Sequence, residues 1–172
     1  MDSNQALLLK ANRLFGVSLV RQGLIADDAL EEANGIFLES LHAEGGKTPS
    51  LLRVLLHETQ QLDEAKLLAH LVDDHGLGLC QLSRYDCDAQ AVYRHGGLYA
   101  CKLTATVPFD FVEGFTFIAT AYYLSPPVRQ FWQEWVDGPV IWYGAPFQEI
   151  QDNIEALEAE ESTVARVVSV AS

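Results

Sequence analysis

The apolar residues of this chain change their spacing once, near His75 to Gly78, and that change constrains the fold more than any single motif. Before it, apolar residues recur at helical intervals. Leu7, Leu8, Leu14 and Phe15 suit an amphipathic first helix, and Gly23 suits the left-handed position that ends one. Asp27 is placed as the N-cap of a second helix, with Glu31 and Glu32 in its early turns, where the helix dipole favours negative charge. Ala29, Leu30, Ala33, Ile36, Phe37 and Leu41 form its apolar stripe. "EGGKTP" (Glu44 to Pro49) reads as a loop. Two shorter helices are predicted at about 49–58 and 63–74.

After His75 the pattern turns β-rich. "GLGLCQLS" reads as a short strand. "LTATVPFDF" (Leu103 to Phe111) and "FTFIATAYY" (Phe115 to Tyr123) read as two more, with "VEG" as the hairpin loop between them. Ser125 is the expected N-cap of the next helix, with Pro126 at its first position. "GPVIWYG" is a further strand. "APFQEIQDNIEALEAEE" is a closing helix with Phe147, Ile150, Ile154 and Leu157 on one face. The fold class expected is α+β: a helical subdomain over residues 1–75, then a small, mainly antiparallel sheet over 77–158 with helices on one face. Residues 159–172 are expected to form a loose tail.

The helical half contains a degenerate repeat. Leu19-Val20-Arg21-Gln22-Gly23 and Leu55-Leu56-His57-Glu58-Thr59 lie 36 residues apart, and at that offset Asp27-Asp28-Ala29 meets Asp63-Glu64-Ala65. Beyond that point one residue is inserted before Leu67, because Leu30 would otherwise face Lys66.

Charge and motifs remove several functions. The 11 basic and 24 acidic residues give a formal net charge of −13. Such a field repels phosphate backbones and anionic membrane surfaces, so no nucleic-acid role is expected. No window reaches the ~20 apolar residues of a transmembrane helix, and the N-terminus lacks the basic region of a signal peptide, so the cytoplasm is the expected location. No GxxxxGK[ST] loop occurs. "GGKTPS" lacks the upstream glycine and falls between helices rather than between a strand and a helix. Cys80, Cys87 and Cys101 include no CxxC pair and read as buried or half-buried thiols. His70 and His75, five apart, do not share a helix face in the way metal-binding histidines four apart do. No metal, no cofactor and no catalytic residue is predicted, and the chain is not read as an enzyme.

One cluster stands apart. Phe131, Trp132, Trp135, Trp142 and Tyr143 lie close together, and three tryptophans are many for so small a core. Tryptophan is enriched at binding hot spots. Whichever of Trp132 and Trp135 is the more exposed is therefore expected to contact a partner or a second copy of the chain as a homodimer.

Taken in order, these segments resemble the N-terminal domain of the ATPases that drive type II secretion and type IV pilus assembly. "FGVSLVRQGLIADDALEEA" is similar to that family's opening. "VPFDFVEGFTFIATAYYLSPPVRQFWQEW" and "GPVIWYGAPFQEIQDNIEAL" follow its later order of hairpin, proline-started helix, strand and helix. The resemblance covers residues 13–157 and lies in the order of the segments. It implies a non-catalytic domain that docks the motor on a membrane-platform protein, so the implied partners are a secretion or pilus platform protein or the motor ATPase. One branch of the family binds cyclic di-GMP between two helical units. Carried onto this chain, that alternative site comprises Arg13, Gly16, Leu19, Gly23 and Phe37. The sequence departs from the branch in both units. With Gly16 as anchor, Arg13 is displaced by one residue, about 100° around the helix. Phe37 takes the place of a glutamine. In the second unit Ser50-Leu51-Leu52 replaces Arg-Leu-Gly, Thr59 replaces glycine and Asp73 replaces glutamine.

Overall fold

A computed structural model describes residues 3–43, 48–85, 87, 92 and 97–170, with side chains as far as Thr163. The expected "EGGKTP" loop falls mostly outside the described residues.

Helix α1 (Ser3–Arg21) ends at Gly23, whose φ of +70° is the left-handed turn expected there. Helix α2 (Asp27–Ser40) follows, but its N-cap is Ala26, not Asp27. Asp27 is already inside the helix, and Asp28 Oδ1 accepts the Ala29 N–H. Helix α3 (Leu51–Arg53) runs on as a π-helix over Val54–Glu58. Helix α4 (Glu64–His75) is capped by Asp63, whose Oδ1 accepts from Ala65 and Lys66, and stops at Gly76 with φ +66°. Two helical pairs therefore recur. In the second, the left-handed turn falls on Gln60 rather than Thr59, and the cap on Asp63 answers Ala26. Both counterparts are one residue later than the 36-residue offset, and the wide π turn lies just upstream of them. A π-helix is how a helix absorbs one extra residue.

Strand β1 (Gly78–Leu79) is short. Helix α5 (Gly97–Thr104) occupies residues that sequence spacing left partly to a strand; β2 (Thr106–Val112) begins only after it. β2 turns at Glu113-Gly114, both with positive φ, into β3 (Phe115–Thr120). Positive φ at both central residues matches the twist of a tight hairpin. Helix α6 (Pro126–Trp135) crosses from β3 to β4 (Val140–Gly144), and α7 (Phe147–Val170) closes the chain. Phe147, Ile150, Ile154 and Leu157 are buried as expected. The helix continues to Val170, across the described part of the segment expected to be a loose tail.

The sheet has the order β1-β4-β3-β2. Only β2 and β3 pair antiparallel; β4 lies parallel to both β3 and β1. The sheet is thus mixed, where a mainly antiparallel one was predicted. The reason is α6: a helix between two strands returns the chain to the end where it started, so the next strand runs parallel. Helices were also expected on one face only. Ile118 and Ala119, neighbours on β3 and so on opposite faces, are both fully buried. α7 packs on β2 and β3, while α4 packs on β1 and β4. A single hydrophobic cluster runs from Ala11 to Leu157, joining helical and sheet-bearing residues.

Candidate functional site

Three features concentrate chemistry away from ordinary core. The first is α6. Pro126 presets its first turn and Ser125 sits at its N-cap position, but the Ser125 hydroxyl does not cap it. It donates instead to the Ala11 carbonyl of α1, 2.8 Å away, and so ties α6 to α1. Val128 and Trp132, one turn apart, point into the core. The Trp132 Nε1–H donates to Thr104 Oγ1 at the end of α5. Phe131 and Trp135, the next pair around the helix, stack with ring centroids 5.3 Å apart. Trp135 is 55% exposed and Trp132 0%. Of the two indoles singled out from the sequence, Trp132 is core and Trp135 is surface. The sequence reading left the choice between them open.

The second is a groove between α1 and α2. It encloses about 500 Å³ and is lined by Ala6, Leu9, Lys10 and Arg13 from α1 and by Asn34, Phe37 and Leu38 from α2. Arg13 and Phe37, two members of the alternative nucleotide set, meet here. The other three do not. Gly16 and Leu19 are buried in the core, and Gly23 is the exposed turn after α1. Gly16 has a packing role: a Cβ there would collide with Leu30 Cδ1 and lie 2.9 Å from Leu51 Cδ2. The missing side chain lets α2 and α3 close against α1.

The third was missed by sequence reasoning. Asn12 is buried on α1, where its Nδ2–H donates to the Leu8 carbonyl. Its Oδ1 accepts the Leu51 N–H at 2.9 Å and the Tyr122 hydroxyl at 2.7 Å. The Tyr122 oxygen in turn accepts the Leu52 N–H and lies 2.8 Å from Ser50 Oγ. Ser50 Oγ accepts the Arg53 N–H, capping α3. Three segments far apart in sequence are thus joined by a buried network in which each polar group has a partner. Burial pushes the Tyr122 phenol up to about 12. The only sequence signal was one asparagine on an otherwise apolar helix stripe.

Elsewhere, Cys80 and Cys101 are buried, which pushes both thiols up to about 12, and Cys87 is half-buried. Such thiols are poor nucleophiles. His70 and His75 do meet, with ring centroids 5.2 Å apart, although they lie five residues apart on α4. Burial, and then His70, lower the His75 pKa. His70 Nδ1 is 2.7 Å from Asp74. No group of three metal-binding side chains forms among the described residues. Among them, too, no helix is long and apolar enough to cross a membrane.

Comparison with solved structures places this architecture. One crystal form of the N-terminal domain of XpsE superposes with a TM-score of 0.54 at 17% identity, covering 84% of this chain and 94% of that one. A second, crystal form I4122, gives 0.53 at 18% identity, covering 80% and 89%. The chain has the fold of the XpsE N-terminal domain. The fold expected from the order of motifs is therefore met, over most of both chains. A structure of MshE with cdg superposes less closely, with a TM-score of 0.47 at 22% identity, covering 83% of this chain and 97% of that one. No protein-family model and no curated protein matches the sequence.

Proposed function

We propose that this chain is a non-catalytic docking domain of the kind found at the N-terminus of type II secretion and type IV pilus ATPases. Its partner in this reading is a platform protein of such a system, or the motor ATPase itself, met in the cytoplasm. Residues 1–75 and 77–158 act as the two parts of one docking unit. The observation that carries the reading is Trp135. An indole 55% exposed, braced by Phe131 at the end of a helix whose inner face is locked in the core, is a rigid aromatic anchor. Rigid aromatics lose little entropy on binding, which is why they dominate hot spots.

The test is Trp135→Ala, read as affinity for the recombinant cytoplasmic part of the platform protein or for the motor. The substitution should weaken binding roughly thirtyfold, the equivalent of about 2 kcal/mol. Stability in urea should stay within about 0.5 kcal/mol, since the lost area is surface. Sedimentation of the same variant reports whether a second copy is the partner. Unchanged affinity and unchanged self-association together would remove Trp135 from the reading.

The nucleotide alternative leads to an opposite expectation. Gly16 is sealed beneath Leu30 and Leu51, Phe37 stands where a glutamine would bond a guanine, and Asp73 adds repulsion in the second unit. Calorimetry with cyclic di-GMP up to ~100 µM should give no saturating isotherm, although a micromolar site, about −8 kcal/mol, would be full at that concentration. A saturating curve would favour a sensor over a docking domain.

A further inference from the structure

The groove between α1 and α2 has an unbalanced charge. The chain as a whole carries −13, yet no carboxylate lines this cavity among the described residues, and two cations do. Lys10 and Arg13 stand one turn apart on α1, both exposed, and neither forms an ion pair with a described carboxylate. Both edge the opening of the groove. Below them the lining is apolar. Phe37 forms a nearly buried floor, Leu9 is half-buried, and Leu38 stands 51% exposed as a wall. Asn34 is the one neutral polar side chain of the lining.

The dimensions select the size of the occupant. From Ala6 to Arg13 the groove runs along eight residues of helix, seven steps of 1.5 Å or roughly 10 Å. That is short for a docked helix, which needs several turns of anchors. A cavity of about 500 Å³ lies within the range that encloses small molecules. An apolar floor with paired cations at its rim suits a ligand that is apolar along its body and anionic at one end. One amide offers little to read the edge of a nucleobase.

We propose that this groove binds a small amphiphilic anion, an alkyl or aryl body ending in a carboxylate or phosphate, with Lys10 and Arg13 holding the anion and Leu9, Phe37 and Leu38 holding the body. The site is independent of the Trp135 surface, so its failure would leave the docking reading standing.

The experiment titrates the whole chain with decanoate, decyl phosphate and decanol below their micelle concentrations, following backbone amide resonances. Both acids should saturate, with shifts concentrated at residues 6–13 and 34–38, and decanol should bind at least tenfold more weakly. The double variant Lys10→Gln/Arg13→Gln should lose at least tenfold in affinity for the acids and leave decanol unchanged. Both side chains are exposed, so thermal unfolding of the variant should match the parent. Leu38→Gln, which keeps the cations, should weaken all three probes. Equal binding of decanol and the acids, full affinity in the double variant, shifts outside the groove, or response to cyclic di-GMP with none to the amphiphiles would each overturn the proposal.

Discussion

Replacing Trp132 by alanine should cost about 3–5 kcal/mol of folding stability, the range for emptying a buried aromatic site. Trp132 heads the largest fully buried side chains of the protein. Its indole also donates to Thr104 Oγ1 at 3.1 Å, and that hydroxyl in turn donates a hydrogen bond to the Ala100 carbonyl at 2.7 Å. Truncation therefore opens a cavity where α6 meets the end of α5 and removes one link of a short buried chain of hydrogen bonds. Domains of this size have about 5–15 kcal/mol to lose, so the variant should be marginal at 25 °C. Urea unfolding measures the effect. Trp132→Phe, which keeps most of the volume and drops the N–H, should lie clearly between parent and alanine. The contrast with Trp135→Ala is the decisive part: two indoles on one helix, three residues apart, should differ by several kcal/mol. Equal and small effects would mean that the burial of Trp132 is not what holds α6.

The second large effect is expected at Asn12. Asn12→Leu keeps the size of the side chain but deletes the oxygen that accepts the Leu51 N–H and the Tyr122 hydroxyl. Each stranded buried donor costs about 1–3 kcal/mol and two are stranded, so the substitution should cost about 2–6 kcal/mol. Tyr122→Phe should cost less, because its ring still stacks on Phe15 with centroids 4.4 Å apart. The double variant should cost clearly less than the sum of the singles, since the hydroxyl stranded by the first change is absent in the second. Additive costs would show that the two side chains are not coupled. The network also carries a pH signature. In the folded chain the Tyr122 phenol keeps its proton until about pH 12, while the unfolded chain releases it near the ordinary phenol value of 10.0. The folded state binds more protons in that interval, so stability should fall as pH rises from about 10 toward 12. Tyr122→Phe should flatten its share of that fall.

What the sequence determined by itself is local. Gly23 and Gly76 end helices because only a residue without Cβ takes positive φ cheaply, and Asp63 caps α4 through its own neighbours' N–H groups. Pro126 starts α6, and the apolar spacing of Phe147, Ile150, Ile154 and Leu157 placed one face of α7 in the core. All of these depend on atoms within a turn or two of one another. The α+β class and the change of period at His75 follow from the same short-range patterns. Tertiary structure decided the rest. Asn12 and Tyr122 are 110 residues apart, and no spacing rule brings them together. The sheet became mixed because α6 returns β4 alongside β3, a matter of connection rather than strand pattern. Ser125 forsook its cap because the Ala11 carbonyl of another helix came within reach. Lys10 and Arg13 became a pair at the mouth of a groove only when α2 lay beside α1, and Trp132 rather than Trp135 was buried because α1 packs on α6 and the end of α5 reaches the Trp132 indole, while Trp135 is left to solvent. Short-range sterics and hydrogen bonding are written residue by residue; burial is a property of what else arrives at the same place.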